Sequence, residues 1–138
     1  MAQHPSIRLG WLKLLYAYTV AGAGIFGLII LLIPKTFVAL FAIPAWEPFL
    51  LGVVGSAFLA FGLLGILGWR SPLQFIPILL LQMAYKTAWL VFVFIPQLFA
   101  GSPPFYAWFV AAVFLSYIVL DAIAIPFDRA LGVKTALA

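Results

Sequence analysis

Cysteine is absent from this 138-residue chain, and histidine occurs once, as His4 in the N-terminal tail. The lack of cysteine excludes a disulfide-stapled fold and any zinc or iron–sulfur site built on thiolates. A single histidine in a tail does not build a haem or metal centre inside a membrane. Nucleophilic catalysis lacks its usual parts, since there is no Cys–His or Ser–His–Asp set. The sequence therefore predicts no enzyme activity and no metal site.

Charged residues are also scarce, since they make up 7% of the chain while hydrophobic residues make up 67%. Soluble domains contain about 25% charged and about 45–50% apolar residues. The composition therefore excludes a soluble globule, a disordered chain and a nucleic-acid-binding protein. It is typical of a helical integral membrane protein, and the length of 138 residues predicts one domain.

Four apolar stretches are long enough to cross a bilayer, which takes about 20 helical residues. They cover about residues 11–33, 48–69, 72–99 and 103–127. The apolar segment at residues 36–44 is too short to cross, and we expect it to lie at the membrane interface. The predicted fold class is all-α: a four-helix integral membrane bundle with a short interfacial helix between the first two spans. Residues 1–138 form this single transmembrane domain.

Basic residues predict how the four spans are oriented. The side that holds both termini carries Arg8, Lys13, Arg70, Arg129 and Lys134. The opposite side carries Lys35 alone. Basic residues collect on the cytoplasmic side of a bilayer. We therefore expect a multi-pass protein of a bacterial-type inner membrane with both termini in the cytoplasm.

Small residues predict where the spans pack, because helices in lipid associate through close contact of small side chains. Gly52, Ser56 and Ala60 recur every four residues along the second span. Ala23 and Gly27 form the same pattern in the first span. We expect these two faces to meet, with the glycines at 55, 62, 65 and 68 as further low points on the second span.

Two ionisable residues lie inside predicted spans, Lys86 in the third and Asp121 in the fourth. A charged side chain at that depth costs about 2.5–3.5 kcal/mol on insertion scales, so it marks a candidate functional position. Helical spacing places both residues in or near one membrane layer with other polar and aromatic side chains. The candidate cluster is Lys86, Asp121, Gln82, Tyr85, Trp89, Tyr117 and Tyr16, with Thr19 at the same depth.

An ion pair between Lys86 and Asp121 is the natural interpretation, because it would neutralise both charges. Three roles stay open. The pair could serve only to set the helix register. It could instead belong to a polar pocket, open to the cytoplasm or the inner leaflet, that holds a lipid head group, a quinone or a proton. In the third case, Lys86 faces an acidic group of another subunit.

Proline and glycine positions carry a family resemblance. The first span ends in Leu-Leu-Ile-Pro at 31–34, and Leu-Phe-Ala-Ile-Pro follows at 40–44. The glycine-rich stretch at 55–67 is closed by Arg-Ser-Pro at 70–72. Over about residues 20–95 the chain resembles the small four-helix DoxX-like membrane proteins. This resemblance implies a four-helix fold and, for some members, a subunit role in quinone-linked membrane oxidoreductases. It implies no catalytic residue.

Two functions follow as hypotheses. The first is a non-catalytic accessory or assembly subunit of a larger membrane complex, redox or photosynthetic, because the chain is short, lacks catalytic groups and is 17% aromatic. Its partners would be the bilayer and other membrane subunits or a second copy, with no nucleic acid. The alternative is a small transporter or a lipid- or quinone-binding protein that uses Lys86 and Asp121. The sequence identifies no cofactor, although a bound lipid, quinone or pigment would suit its aromatic surface.

Overall fold

The computed structural model describes residues 7–132, and within this range the chain forms helices and turns without a strand. This confirms the all-α class. His4 and Lys134, which entered the predictions above, lie outside the described residues.

Six helices follow one another in the described part of the chain. They are α1 (Leu9–Leu32), α2 (Pro34–Leu40), α3 (Pro48–Arg70), α4 (Ile76–Ala100), α5 (Phe105–Ala124) and α6 (Phe127–Ala130). Helices α1, α3, α4 and α5 are long and apolar enough to cross a membrane, as the sequence predicts. Single π-helical turns interrupt α1 at Val20–Gly24 and α4 at Leu90–Phe94.

The third span differs most from its predicted bounds, because α4 begins at Ile76 rather than near residue 72. Ser71 ends α3, and a turn follows in which the Gln74 N–H donates to the Ser71 carbonyl at 3.1 Å. The Pro72 carbonyl accepts a hydrogen bond from the Tyr16 hydroxyl of α1 at 2.8 Å, which ties this turn to α1. Pro77 then lies in the first turn of α4, where its missing N–H costs nothing.

Glycines bring α1 and α3 into backbone contact. A Cβ atom added to Gly24 would lie 3.2 Å from the Cα of Gly62, and one added to Gly27 would lie 2.8 Å from the Gly55 carbonyl oxygen. Ala23 is buried on the same helix. Contacts this close require residues without side chains, so these positions set how α1 and α3 cross.

The predicted contact face of the second span is wrong. Ser56 and Ala60 are exposed, and a Cβ added to Gly52 would meet no atom within 4 Å. At 3.6 residues per turn the middle of this row lies about 110° around the helix from Gly55 and Gly62. A spacing of four identifies any row of small residues, but backbone contact demands glycine itself. The buried glycines of α3 are those at 55, 62, 65 and 68.

Beyond its contact with α3, α1 also packs against α5. Helix α5 packs on α4, and α4 makes a smaller contact with α3. A tight apolar core joins the start of α1, the start of α4 and the end of α5. Its buried residues are Leu12, Leu15, Tyr16, Ile76, Leu79, Ala124 and Ile125.

Candidate functional site

Four polar side chains are completely buried between three of the long helices. Their exposed fractions are 0% for Thr19 of α1, 0% for Gln82 and 1% for Lys86 of α4, and 0% for Asp121 of α5. Buried polar groups require hydrogen-bond partners, so the contacts of these four show what the site can do.

Lys86 begins a directed chain of hydrogen bonds. Its ammonium donates to the Gln82 Oε1 atom at 2.6 Å, one helical turn away on α4. Gln82 Nε2 donates to Thr19 Oγ1 at 3.0 Å, and Thr19 Oγ1 donates to the Leu15 carbonyl at 2.9 Å. Each of these three hydrogen bonds pairs one donor with one acceptor, and the series ends at the backbone carbonyl of Leu15. The relay orients the Gln82 amide so that its oxygen faces the ammonium.

Tyr117 of α5 supplies the second contact of the ammonium. The Lys86 Nζ atom lies 3.5 Å from the centre of the Tyr117 ring, a cation–π contact. The Tyr117 hydroxyl donates to the Tyr18 carbonyl at 2.8 Å, and the two tyrosine rings stack at 4.0 Å with an interplanar angle of 8°. Tyr117 is therefore held at its ring and at its hydroxyl, which fixes the surface against which Lys86 rests.

The predicted ion pair between Lys86 and Asp121 is not formed. Among the described residues neither carboxyl oxygen of Asp121 has a hydrogen-bond partner. The ammonium instead donates to Gln82 and rests against the Tyr117 ring. A buried carboxyl without a donor is costly, typically by about 1–3 kcal/mol for a polar group in proteins. Within the described part of the chain, the Asp121 carboxyl is therefore buried without a hydrogen-bond partner that would stabilise its charge.

The other three predicted members lie in different surroundings. Tyr16 is fully buried, but its hydroxyl is bonded to Pro72 and its ring packs on Gly68. Trp89 stacks on Phe94 at 5.7 Å between ring centres and joins an aromatic group rather than the polar cluster. Tyr85 is half-buried, with its ring 5.3 Å from the Lys86 ammonium. Depth along a helix predicted one layer for all three, but direction around the helix separates Tyr16 and Trp89 from the ammonium, while Tyr85 lies beside it.

A cavity of about 120 Å³ lies next to the polar cluster, with Lys86 on its wall. Helices α1, α3, α4 and α5 line it, together with α2 and the turn that follows α2. Lys86 is the charged residue among those lining side chains that the structure describes. The other large lining side chains are aromatic: Phe26, Phe37, Phe41, Phe58, Tyr85, Tyr106, Phe109, Phe114 and Tyr117.

The part played by α2 was not predicted from the sequence. Phe37 and Phe41 are one turn apart, and both pack on Phe26 of α1, at 6.2 and 6.0 Å between ring centres. Phe41 also lies 5.3 Å from Phe109 of α5. The spacing of four between two phenylalanines was the available signal, because it places both rings on one face of a helix. The segment assigned to the interface thus contributes a wall of the cavity.

The arrangement therefore offers one chemical capability. A mainly aromatic space has Lys86 among its lining residues, and the Lys86 ammonium donates to Gln82. Ammonium carries three donors. An apolar lining suits an apolar molecule, and an ammonium donor suits an acceptor oxygen.

No family model, no curated protein and no solved structure matches this chain. A functional assignment therefore depends on the cavity and on the buried polar cluster beside it.

Proposed function

We propose that this chain is a four-helix membrane protein that binds a lipid-soluble, ring-bearing ligand in the aromatic cavity. The ligand's acceptor oxygen meets Lys86. The observation that carries the proposal is that Lys86 is the charged residue among the apolar, mainly aromatic residues that the structure describes around this space. Binding is the activity proposed, with no chemical step.

The proposed setting is the bilayer, where α1, α3, α4 and α5 cross as a bundle and α2 lies at the interface. Large apolar side chains on the outward faces support this, since a soluble protein rarely exposes so many together. The most exposed include Leu40, Phe49, Phe92, Phe99 and Phe105. The distribution of lysine and arginine supports a bacterial-type inner membrane with both termini in the cytoplasm.

The size of the cavity supports a single ring. An apolar protein cavity of about 150 Å³ is large enough to bind benzene. A space of about 120 Å³ is of that order but smaller, so it holds no more than one six-membered ring, and a substituted ring would lie partly in the open mouth of the cavity. Any longer tail would extend between the helices toward lipid.

Filling the cavity tests the proposal. Val110 lines the cavity, whereas Val119 on the same helix is 50% exposed. We expect Val110→Phe to weaken binding of benzamide, a neutral ring with a carbonyl oxygen, by about tenfold or more, equivalent to about 1.4 kcal/mol. Val119→Phe makes the same change on an outward face and should leave affinity within about twofold. Calorimetry on the purified protein in detergent measures both.

The same preparation shows whether a natural ligand is present. Organic extraction and mass spectrometry should find a ring compound in near-stoichiometric amount with the wild-type chain and with Val119→Phe. Val110→Phe should lose it. Equal ligand content in the two variants, or equal benzamide affinity, would contradict a ligand site in this cavity.

A second candidate function is that of an accessory or assembly subunit. The resemblance to DoxX-like proteins belongs with this candidate and is likewise a proposal. A shallow groove on α4 favours it, because Ala84, Thr87 and Ala88 are small and exposed there, and Phe127 forms part of the rim. Small residues on an outward face let a second helix approach closely. Mild-detergent purification from native membranes should then yield a complex of fixed stoichiometry. A chain that runs alone would contradict this candidate.

A further inference from the structure

We propose that the cavity takes up an anionic ring compound, a small aromatic carboxylate, together with one proton that binds to Asp121. This inference rests on the proposed function and names the class of its ligand. The ligand carboxylate meets the Lys86 ammonium, and the Asp121 carboxylate receives the proton from solvent. No other bond forms or breaks, so one anion and one proton enter per site.

The net charge of the buried cluster shows why a bound anion calls for a proton. Lys86 of α4 is the charged group that acts on Asp121, and Asp121 in turn acts on Tyr16 of α1, Tyr85 of α4 and Tyr117 of its own helix. Helix α3 has a titratable side chain at its last residue, Arg70, and none at residues 48–69. Lys86 is the cation of the buried cluster. With Asp121 ionised the cluster is neutral, and a bound carboxylate would leave it with one uncompensated negative charge.

The free-energy cost of that uncompensated charge favours protonation of Asp121. A single ionised group away from water is unfavourable by several kcal/mol after relaxation of the protein. A proton removes this cost, and Asp121 is the acceptor available in the cluster. Its two oxygens have no hydrogen-bond partner among the described residues, so either can take the proton without breaking an existing contact.

The position of Lys86 supports binding of the ligand anion beside it. Lys86 lines the cavity, and its ammonium is held by Gln82 and by the face of the Tyr117 ring, which also lines the cavity. Thr19 holds Gln82 in turn, while the oxygens of Asp121 have no hydrogen-bond partner among the described residues. A ligand anion beside Lys86 would therefore favour a neutral carboxyl at Asp121. The ligand and Asp121 compete for one positive charge, which couples anion binding to proton uptake.

Calorimetry with benzoate, in buffers of different ionisation enthalpy, tests the coupling. The slope of the observed heat against the buffer's ionisation enthalpy counts protons taken up per ligand. For the wild-type chain in detergent we expect about one proton per benzoate at a pH where Asp121 is ionised in the free protein, falling toward none where Asp121 is already protonated. Benzamide, which has the same shape without the charge, should bind with none. The benzoate Kd should rise by about tenfold per pH unit wherever Asp121 is ionised in the free protein.

Asp121→Asn is the decisive variant, because it keeps the shape of the side chain and removes its charge. It should bind benzoate with no proton uptake and with a Kd that changes less than about twofold between pH 6 and 8. Thermal unfolding of this variant in detergent checks that it is folded, and its benzamide affinity checks that the cavity is intact.

The outcomes separate this inference from the proposed function. Benzamide binding together with proton-free benzoate binding by the wild-type chain overturns the inference and leaves the cavity as a ligand site. Proton uptake that persists in Asp121→Asn overturns the role of Asp121, because the proton then resides on the ligand. If neither probe binds, the proposed function fails and the inference fails with it.

Discussion

Lys86 and Asp121 are equally buried, yet their surroundings differ in kind. Lys86 has an acceptor oxygen and an aromatic face, and its side chain lines a cavity. Asp121 has no donor within hydrogen-bonding distance among the described residues. The two side chains therefore form one electrostatic unit without touching, and removing either one should be felt by the other.

Paired substitution measures this interaction. Lys86→Met leaves the Asp121 carboxyl with no cation nearby and Gln82 Oε1 without its donor, so we expect a loss of about 1–3 kcal/mol in the free energy of unfolding, the cost of a buried polar group without a partner. Adding Asp121→Leu removes the carboxyl and should restore part of that loss. Denaturant unfolding in detergent reports the values for both single variants and the double variant. A double variant whose loss equals the sum of the two single losses would show that the two groups are energetically independent.

At this scale the sequence predicted which residues are exceptional but not what they contact. The cost of an ionisable group in hydrocarbon is large enough to single out Lys86 and Asp121 without a structure. Axial depth follows from a rise of 1.5 Å per residue, and it correctly grouped Gln82 with Thr19, which are hydrogen-bonded. The direction of a side chain around its helix depends on how the helices are rotated against one another. Because of that rotation, Trp89 packs against other aromatic rings, and the expected ion pair between Lys86 and Asp121 does not form.

Among the elements, α1 and α3 meet through glycines, and this contact has the least room for change. A Cβ on Gly62 would overlap the backbone of Gly24, which cannot move aside as a side chain could. A Cβ on Gly52 would meet nothing within 4 Å. One helix therefore offers two glycines with opposite expected responses to the same substitution.

Alanine at these two positions tests the contact. Gly62→Ala should lower the free energy of unfolding by about 1–3 kcal/mol or more, as overpacking does. Gly52→Ala should be neutral or stabilise by up to about 1 kcal/mol, because alanine is the better helix former. Thermal unfolding in detergent compares them directly. Equal effects of the two substitutions would mean that α3 contacts α1 through another face.

Hydropathy predicted the elements well because an apolar run of about 20 residues has few other uses. The long helices α1, α3 and α5 begin and end within three residues of their predicted bounds. The π-helical turns at Val20–Gly24 and Leu90–Phe94 carry no evident sequence signal. The packing face of α3 was missed because a small-residue spacing identifies candidates but does not rank glycine above serine or alanine.

The cavity belongs to the whole molecule, since no single helix encloses it. Its aromatic walls come from residues far apart in the chain, for example Phe26, Phe58 and Phe109. An aromatic content of 17% suggested lateral contacts with partners, but it does not say which rings turn inward. Only the mutual rotation of the helices, together with α2 folding back over them, creates the space. For this reason the site residues on α4 and α5 were predictable, and the cavity was not.

The topology of the whole chain is open to a direct test because the sequence contains no cysteine. Ser71 and Ser102 lie in the exposed turns at opposite ends of α4. If α4 crosses the membrane, a membrane-impermeant maleimide added to intact cells should label Ser102→Cys and not Ser71→Cys. Permeabilised cells should show labelling of both, and the wild-type chain should show none. Labelling of Ser71→Cys alone in intact cells would reverse the orientation predicted from the basic residues, while labelling of both would mean that α4 does not separate two compartments. In that last case the cluster around Lys86 would not lie inside a bilayer, and the charge argument that couples Asp121 to an anionic ligand would lose its low-dielectric premise.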